Sequence, residues 1–507
     1  MNDKYAVIDL GSNSIRMNLI RINEDGAYIL FDQIKEMVRL SEGMQSTGTL
    51  QSKPMERTIF ALKLFKNLLA ANNITNVHCL ATAAVRMAHN QEEFLNRVHN
   101  ELGLKFRVLS GKEEAYFDYL GVINSIDLES FVMIDIGGAS TEIAYIKKRE
   151  LVNSISLPFG SVILSEKFMD KSNVDKSLDK IRKFIKSNLE KLDWLKEAEG
   201  LAVVGLGGVV RTLAKVDLNL NNHQLIYMHN YQMDKKEVKR VLNLILNTEH
   251  DQLKNIEGIN KTRADIILAG IIPLEILFEK LGSKKLVISG NGLRDGFFYK
   301  DFYNKKYGKD VVEDVLEESL KNINILYDIN VSHSNNVNMI TMKLYEALKL
   351  ELELKDEDKK ILDVASKLHD IGMYIEYFNH HIHGFYLMLN SRINGLSNTE
   401  LISVALLIGS HRDKSMKKFW DDYASLISKE RYQEISRLSL ILKLAEKLDR
   451  SEAGIIKDLI IDVDDKINIA CICDENPELE IIGAMSYNQL FKKTFSKKLN
   501  IYEHEKT

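Results

Sequence analysis

Three cysteines in 507 residues, Cys79, Cys471 and Cys473, are too few and too badly spaced for a disulfide framework or a zinc site. A reducing, cytoplasmic compartment is therefore expected. Proline is scarce too, at four residues, and no low-complexity tract interrupts the chain, which points to compact, helix-rich domains. No apolar run approaches the ~20 residues that a membrane span needs. The first strand is expected near Tyr5, with an acid at Asp9, which leaves no room for a signal peptide before it. An excess of one charge is also missing. Sixty-eight basic residues against 72 acidic ones give a net charge of −4, which argues against bulk nucleic-acid binding and leaves any polyanion site local; no specific nucleic-acid partner is expected. At about 150 residues per domain, the length suits two to four cores.

What the chain does have is a stretch at residues 132–142, VMIDIGGASTE. An apolar run reads as a buried strand with Asp135 near its end. Gly137 and Gly138 allow a tight turn whose N–H groups can face a phosphate, and Ser140, Thr141 and Glu142 add hydroxyls and a second acid. A second copy raises the weight of this turn: DLGSNSIRMNLIRI from Asp9 lines up with DIGGASTEIAYIKK from Asp135. Two strand–turn–strand hairpins, each opening on an acid, suggest a duplicated α/β unit clasping one polyanion.

These paired D-x-G-S-N-S and D-I-G-G-x-S-T-E loops resemble those of the exopolyphosphatase and guanosine pentaphosphate phosphohydrolase family, a branch of the actin, sugar-kinase and Hsp70 ATPase superfamily. The resemblance implies an α/β actin-like (ribonuclease H-like) duplicated N-terminal half, with lobe I over residues 1–125 and lobe II over 126–305. An all-α HD-like domain over 311–457 and a small α+β segment over 458–507 would follow.

Between the hairpins, residues 55–72 have the apolar spacing of an amphipathic helix, and a strand at 77–80 leads to Thr82, a candidate N-cap. Thr82, Arg86 and Asn90 stand at i, i+4 and i+8, one helix face. Read alone, Arg86 is a surface arginine; the family's A-T-x-A-x-R-x-A-x-N signature makes it a phosphate ligand. In the following SGKEEA, Ser110 and Glu113 have capping-box spacing, so Glu113 is structural and Glu114 is left free to face a cleft. Spacing alone would leave Glu114 a solvated helix glutamate. The resemblance makes it the catalytic base. A helix is expected over 174–195. A third glycine turn, Gly207-Gly208, would hold phosphate or nucleoside. Ala139 stands where a third glycine is common, at about 1 kcal/mol if that position requires positive φ. Arg294 reads as a structural ion-pair residue.

The resemblance implies that Gly11, Ser12, Asn13, Ser14, Gly137, Gly138, Ala139, Ser140, Gly207, Gly208 and Arg86 bind phosphate. Asp9, Asp135 and Glu142 would hold Mg²⁺ or another divalent cation, through waters, while Glu114 activates water. The reaction expected first is exopolyphosphatase cleavage of the terminal phosphoanhydride of inorganic polyphosphate, because a long C-terminal half suits a polymer. Trimming guanosine pentaphosphate to the tetraphosphate is the alternative. A sugar kinase or actin-like ATPase, or a sensor that binds without cleaving, are readings from other classes. No membrane partner is expected, and a homodimer is left open.

Residues 303–310 read as a charged linker, and helical periodicity then dominates to about 457. Histidines concentrate there. His333, His369, Asp370 and Asp449 match the His…His-Asp…Asp order of HD phosphohydrolases, a second metal site, with His383 and His411 completing a further position. The opposing reading of His380-His381-x-His383 is a polar network joining helices. Residues 487–499 read as a closing basic helix. Its Lys492, Lys493, Lys497 and Lys498, with Lys414, Lys417 and Lys418, either line a track for an extended polyanion or form solvated faces.

Overall fold

A computed structural model describes residues 3–170, 172–223, 227–412 and 416–504. Lys414 lies outside them. The chain divides into two compact units, Met1–Asn222 with Met228–Glu318 and His223–Tyr227 with Ser319–Thr507.

The first unit contains the duplication. Its first sheet is built from β1 (Asp3–Leu10), β2 (Ser14–Ile22), β3 (Tyr28–Met37), β4 (Asn76–Ala81) and β5 (Phe106–Val108) in the order β3-β2-β1-β4-β5. Its second sheet is built from β6 (Phe131–Ile136), β7 (Thr141–Lys147), β8 (Glu150–Leu157), β9 (Ala202–Leu206), β10 (Tyr231–Asp234) and β11 (Lys285–Ile288). Their order, β10-β11-β9-β6-β7-β8, repeats the first sheet with one strand added. In both, an antiparallel hairpin is followed by a parallel neighbour, β4 beside β1 and β9 beside β6.

β1 is apolar on both faces because both are covered. Ala6, Ile8 and Leu10 enter a core of the first lobe with Leu62 and Phe65 of the helix Ser52–Ala71. Tyr5 and Val7 enter a second core with Phe131 and Met133 of β6, and Phe117 and Leu120 of the helix Gly111–Ile123. Each such buried side chain contributes about 1.5–3 kcal/mol, so this shared core fixes β1 relative to β6. Two glycines make the fit possible where Gly111–Ile123 crosses Leu293–Phe298. A Cβ on Gly296 would lie 1.7 Å from the Phe117 carbonyl oxygen, and one on Gly121 2.4 Å from that of Gly292.

Several expectations need correction. The helix from Val174 stops at Leu189, and Asp193–Ala198 forms a separate 3-10 turn. Residues 303–310 are docked rather than loose: Asp310 accepts hydrogen bonds from Tyr116 Oη at 2.6 Å and Lys300 Nζ at 2.5 Å. Thr82 precedes a helix of only five residues, Ala83–Met87, and its hydroxyl donates to Leu10 O at 3.3 Å instead of capping.

The second unit is helical, with Val331–Leu348, Asp356–Leu368, His380–Asn390, Asn398–Ser410 and Lys429–Lys447 as its longer helices. Beside them stands a three-stranded sheet, β12 (Ile456–Val463), β13 (Lys466–Cys473) and β14 (Lys498–Glu503), with two short helices. The expected closing helix is therefore half wrong. It runs only from Asn488 to Phe495, Ser496 turns at φ 60°, and the chain continues as β14, parallel to β13. The period-2 burial of Leu499 and Ile501 against exposed Asn500 and Tyr502 was the missed signal. Lys497 meanwhile pairs with Glu351 at 2.9 Å, so the four lysines share no helix face.

Buried His229 ties the shared core to the β11 end: one ring nitrogen bonds Ser125 O at 3.1 Å, and the other accepts from Gly290 N at 3.1 Å. Burial pushes its pKa down to about 4 from 6.5. The unfolded chain thus binds the extra proton between these values, so the neutral ring's contribution is full above pH 6.5 and is lost as pH falls toward 4. Lowering the pH from 7 to 4 should remove at most about 3 kcal/mol from the first unit in wild type and not in His229→Gln. Thermal unfolding of both proteins across that range checks this; equal losses would show that the ring is not held neutral.

Candidate active site

The two hairpin turns are built alike. Gly11 N donates to Ser14 O at 3.2 Å, and Gly137 N to Ser140 O at 3.0 Å. These amides close the turns, so Gly11 and Gly137 shape the loops and do not offer those N–H groups to a ligand. The glycines are required by crowding: neither Gly137 nor Gly138 has positive φ, and a Cβ on Gly138 would stand 3.1 Å from the Ser12 Cβ. The turns at residues 9–14 and 135–140 therefore abut. Ala139 also avoids positive φ, so its methyl carries no such strain, but it is buried and does not line the cleft. Anchors behind the loops hold them: Ser41 N donates to Ser12 O at 3.1 Å, and Ser161 N to Gly137 O at 2.9 Å.

One cavity receives Asp9, Gly11, Ser12, Asn13, Ser14, Glu114, Asp135, Gly137, Gly138, Ser140, Glu142, Gly207 and Gly208. Glu114 faces it because the capping box forms as its spacing requires. Ser110 Oγ accepts from Glu113 N at 3.2 Å, and Glu113 Oε2 accepts from Ser110 N at 2.8 Å. Glu114 is 5% exposed and ion-pairs with Arg86, which also donates to Leu109 O at 2.7 Å. Arg86 thus grips the carboxylate and is not among the cavity-lining residues. Asn90 faces away, bonding Leu50 N at 2.8 Å and Leu50 O at 3.1 Å.

Five charged residues on the cavity wall were missed from the sequence: Asp118, Asp295, Arg16, Arg211 and Arg263. Asp118 had a signal, since it stands one turn after Glu114 on the same helix face. Arg16 had one in its register, because β1 and β2 pair Asp9 with Arg16 as β6 and β7 pair Asp135 with Glu142. Arg211 and Arg263 come from lobe II, and no spacing linked them to the loops. Arg294 also reaches the cavity, donating to Asn18 Oδ1 at 2.5 Å, with its charge near Asp9.

Charge is crowded by sign. Burial raises the pKa of Asp9, Asp118, Asp135 and Glu142, and neighbouring carboxylates add repulsion at the last three; Glu142 is pushed up to about 7. Asp118 Oδ1 and Asp135 Oδ1 are buried without a hydrogen-bond partner. On the other wall, burial and neighbouring guanidiniums push Arg211 down to about 9 and Arg263 and Arg294 to about 10. Nearby Lys35 is pushed down to about 7 by burial and by Arg263, Arg16 and Arg211. An oxygen-rich wall with orphaned carboxylate atoms fits a hard divalent cation, and a guanidinium wall fits phosphates. The carboxylates of Asp9, Asp135 and Glu142 do not converge within 4.8 Å as a direct ligand set; among the described residues, such sets occur only around Asp370. Above the cleft an exposed pair joins the lobes: Arg39 bonds Asp265 at 3.1 Å and Thr262 O at 2.9 Å.

In the second unit, His333, His369 and Asp370 come together as expected, whereas Asp449 stands behind His333, accepting from its Nδ1 at 2.7 Å. The residue that joins His411 is His380, not His383.

A duplicated mixed-sheet lobe with paired acidic phosphate turns is an actin-like fold. Its particular family follows from comparison. The sequence profile of the Ppx/GppA phosphatase family matches residues 19–305, and that of Ppx/GppA phosphatase domain III matches residues 315–478. The chain belongs to this family of phosphoanhydride hydrolases. A guanosine-5'-triphosphate,3'-diphosphate pyrophosphatase of Aliivibrio fischeri is 27% identical over 471 residues, 91% of this chain and 92% of the relative. The crystal structure of the Aquifex aeolicus Ppx/GppA family member is 29% identical, covers 61% of this chain and 100% of its own, and has a TM-score of 0.52. An exopolyphosphatase from Cytophaga hutchinsonii, at 21% identity, shares the fold over 61% of this chain and 100% of its own, with a TM-score of 0.56.

Gly207 has φ 84°, and a Cβ there would lie 2.4 Å from Asp135 Oδ1. Gly207→Ala should therefore displace the Asp135 carboxylate and lower kcat/KM for phosphate release at least about tenfold, with the fold retained by circular dichroism. Unchanged activity would show that Asp135 need not be held there.

Proposed function

We propose that this cleft hydrolyses the terminal phosphoanhydride of guanosine pentaphosphate, releasing orthophosphate and leaving the tetraphosphate. The observation that carries the reading is the meeting of both hairpin turns and Glu114 at one cavity. Phosphoryl transfer asks for charge neutralisation and an in-line nucleophile, with little covalent work from the protein. The hydroxyls of Ser12, Ser14 and Ser140, with the loop amides, bind the terminal phosphate. Arg16, Arg211, Arg263 and Arg294 neutralise the phosphates that follow it. Glu114, held by Arg86, orients the attacking water and takes its proton. This gives Arg86 a positioning role in place of the direct phosphate contact expected of it. Asp9, Asp118, Asp135 and Glu142 would hold Mg²⁺ or a similar hard cation, which neutralises charge on the transferring group when bound.

The substrate order differs from that expected of the sequence. A long C-terminal half does not select a polymer, because relatives matching over nine-tenths of the chain carry the pyrophosphatase name. Polyphosphate is the second reading, favoured by four guanidiniums on one wall, which suit a row of phosphates and read no base.

Phosphate release from both substrates, with Mg²⁺ titrated, tests this for wild type and Glu114→Gln. Wild type should show the higher kcat/KM with the pentaphosphate. The variant should lose about 10²–10⁴ in kcat with KM nearly unchanged. A faster variant rate than this removes Glu114 as the base. Equal binding with no release from either protein would make the cleft a sensor, and ATP turnover requiring a sugar acceptor would make it a kinase. A higher kcat/KM for polyphosphate would reverse the substrate order.

A further inference from the structure

Four histidines and one aspartate of the second unit turn their polar atoms to a common centre, and each sits at a helix end. His333 is in the first turn of Val331–Leu348, and His369 and Asp370 follow Asp356–Leu368. His380 opens His380–Asn390, and His411 follows Asn398–Ser410. Gly372 lets the His369-Asp370 turn lie against the His380 helix, since a Cβ there would be 1.9 Å from His380 O.

The hydrogen bonds fix the tautomers. Nδ1 of His369 bonds Ser366 O at 2.8 Å, that of His380 bonds Tyr377 O at 2.8 Å, and that of His411 bonds Ile408 O at 2.5 Å. Nδ1 of His333 bonds Asp449 Oδ2 at 2.7 Å. A carbonyl or carboxylate can only accept, so all four Nδ1 atoms carry protons, and in each neutral ring Nε2 is left with its lone pair. Those lone pairs face each other: His333 Nε2 is 3.2 Å from His369 Nε2, and His380 Nε2 is 3.0 Å from His411 Nε2. Two acceptors at such distances repel unless a proton or a metal ion stands between them.

Asp370 completes both pairs. Its Oδ2 is 3.8 Å from His333 Nε2 and 3.5 Å from His369 Nε2, and its Oδ1 is 3.3 Å from His380 Nε2 and 3.6 Å from His411 Nε2. Oδ1 is buried with no hydrogen-bond partner. Donors about 2.1 Å from one ion, at angles between roughly 90° and 110°, stand about 3.0–3.4 Å apart, close to the spacings found here.

We propose that the second unit holds a two-cation centre bridged by Asp370, with His333 and His369 completing one position and His380 and His411 the other. A nitrogen-rich donor set selects Mn²⁺, Fe²⁺ or Zn²⁺ over Mg²⁺, unlike the all-oxygen wall of the first unit. Asp449, the acid expected as a ligand, is instead the positioning residue that orients His333. The first position opens on a cavity of about 360 Å³ lined by Tyr327, Asn330, Met373, Tyr374 and Glu452, where an exchangeable ligand can enter. The second is contested, because Arg412 Nε donates to His380 Nε2 at 3.3 Å and must swing away, toward Glu446 at 3.5 Å, when an ion binds. The second ion should therefore bind more weakly than the first.

The test uses the full chain, stripped with a chelator, loaded with Mn²⁺ alone and desalted into Mg²⁺ buffer, with bound metal counted by mass spectrometry. Wild type and Glu114→Gln should each retain two Mn²⁺, with a spin-coupled EPR signal from ions sharing one carboxylate. His380→Asn should retain one uncoupled ion, Asp370→Asn none, and His383→Asn two. Wild type retaining none or one overturns the proposal, as does loss of an ion from His383→Asn but not from His380→Asn. The wild-type count decides the matter even if a variant fails to fold.

Discussion

Like charges packed into a dry cleft are the constraint on which the first unit depends. Six carboxylates and four guanidiniums share one cavity, and burial weakens the charged forms of Asp9, Asp118, Asp135, Glu142 and Asp295 as well as those of Arg211, Arg263 and Arg294. Such a cleft is poorly satisfied by itself, as the orphaned oxygens of Asp118 and Asp135 show. It is relieved by a ligand that brings both signs, a phosphate chain with its cation. The surrounding core provides the rigidity to hold charges in so unfavourable an arrangement, because β1 and β6 are buried on both faces and cannot give way.

The duplication gives the cleft its polarity. Equivalent cross-strand positions carry Arg16 in one lobe and Glu142 in the other, opposite Asp9 and Asp135. One backbone design, copied, thus presents an acid–base pair across one hairpin and an acid–acid pair across the other by exchanging a single side chain. Gly138 packed against Ser12 holds the two hairpin turns in contact.

Much of this was legible in the sequence where the signal was local. Each hairpin and the Ser110–Glu113 capping box follow from spacings within seven residues, whereas the cleft-facing role of Glu114 came from the family resemblance. The two-lobed fold was legible through the repeat itself. Residues that meet only through tertiary packing were not. Arg211 and Arg263 reach the cleft from separate elements of lobe II, and Arg86 was assigned to phosphate because a one-dimensional pattern cannot show that Glu114 already holds it. In the second unit, counting along the helix could not separate His380 from His383, because Asn379 at φ 60° and the Gly372 contact decide which ring turns inward. Asp449 is buried as its helix face implied, and its carboxylate bonds His333.

The Arg39–Asp265 pair over the cleft is exposed on both sides, at 42% and 43%. A surface ion pair of this kind contributes at most about 1 kcal/mol, and dissolved salt screens it. The lobes are thus held together by an oily core that salt leaves alone and by a rim contact that salt loosens.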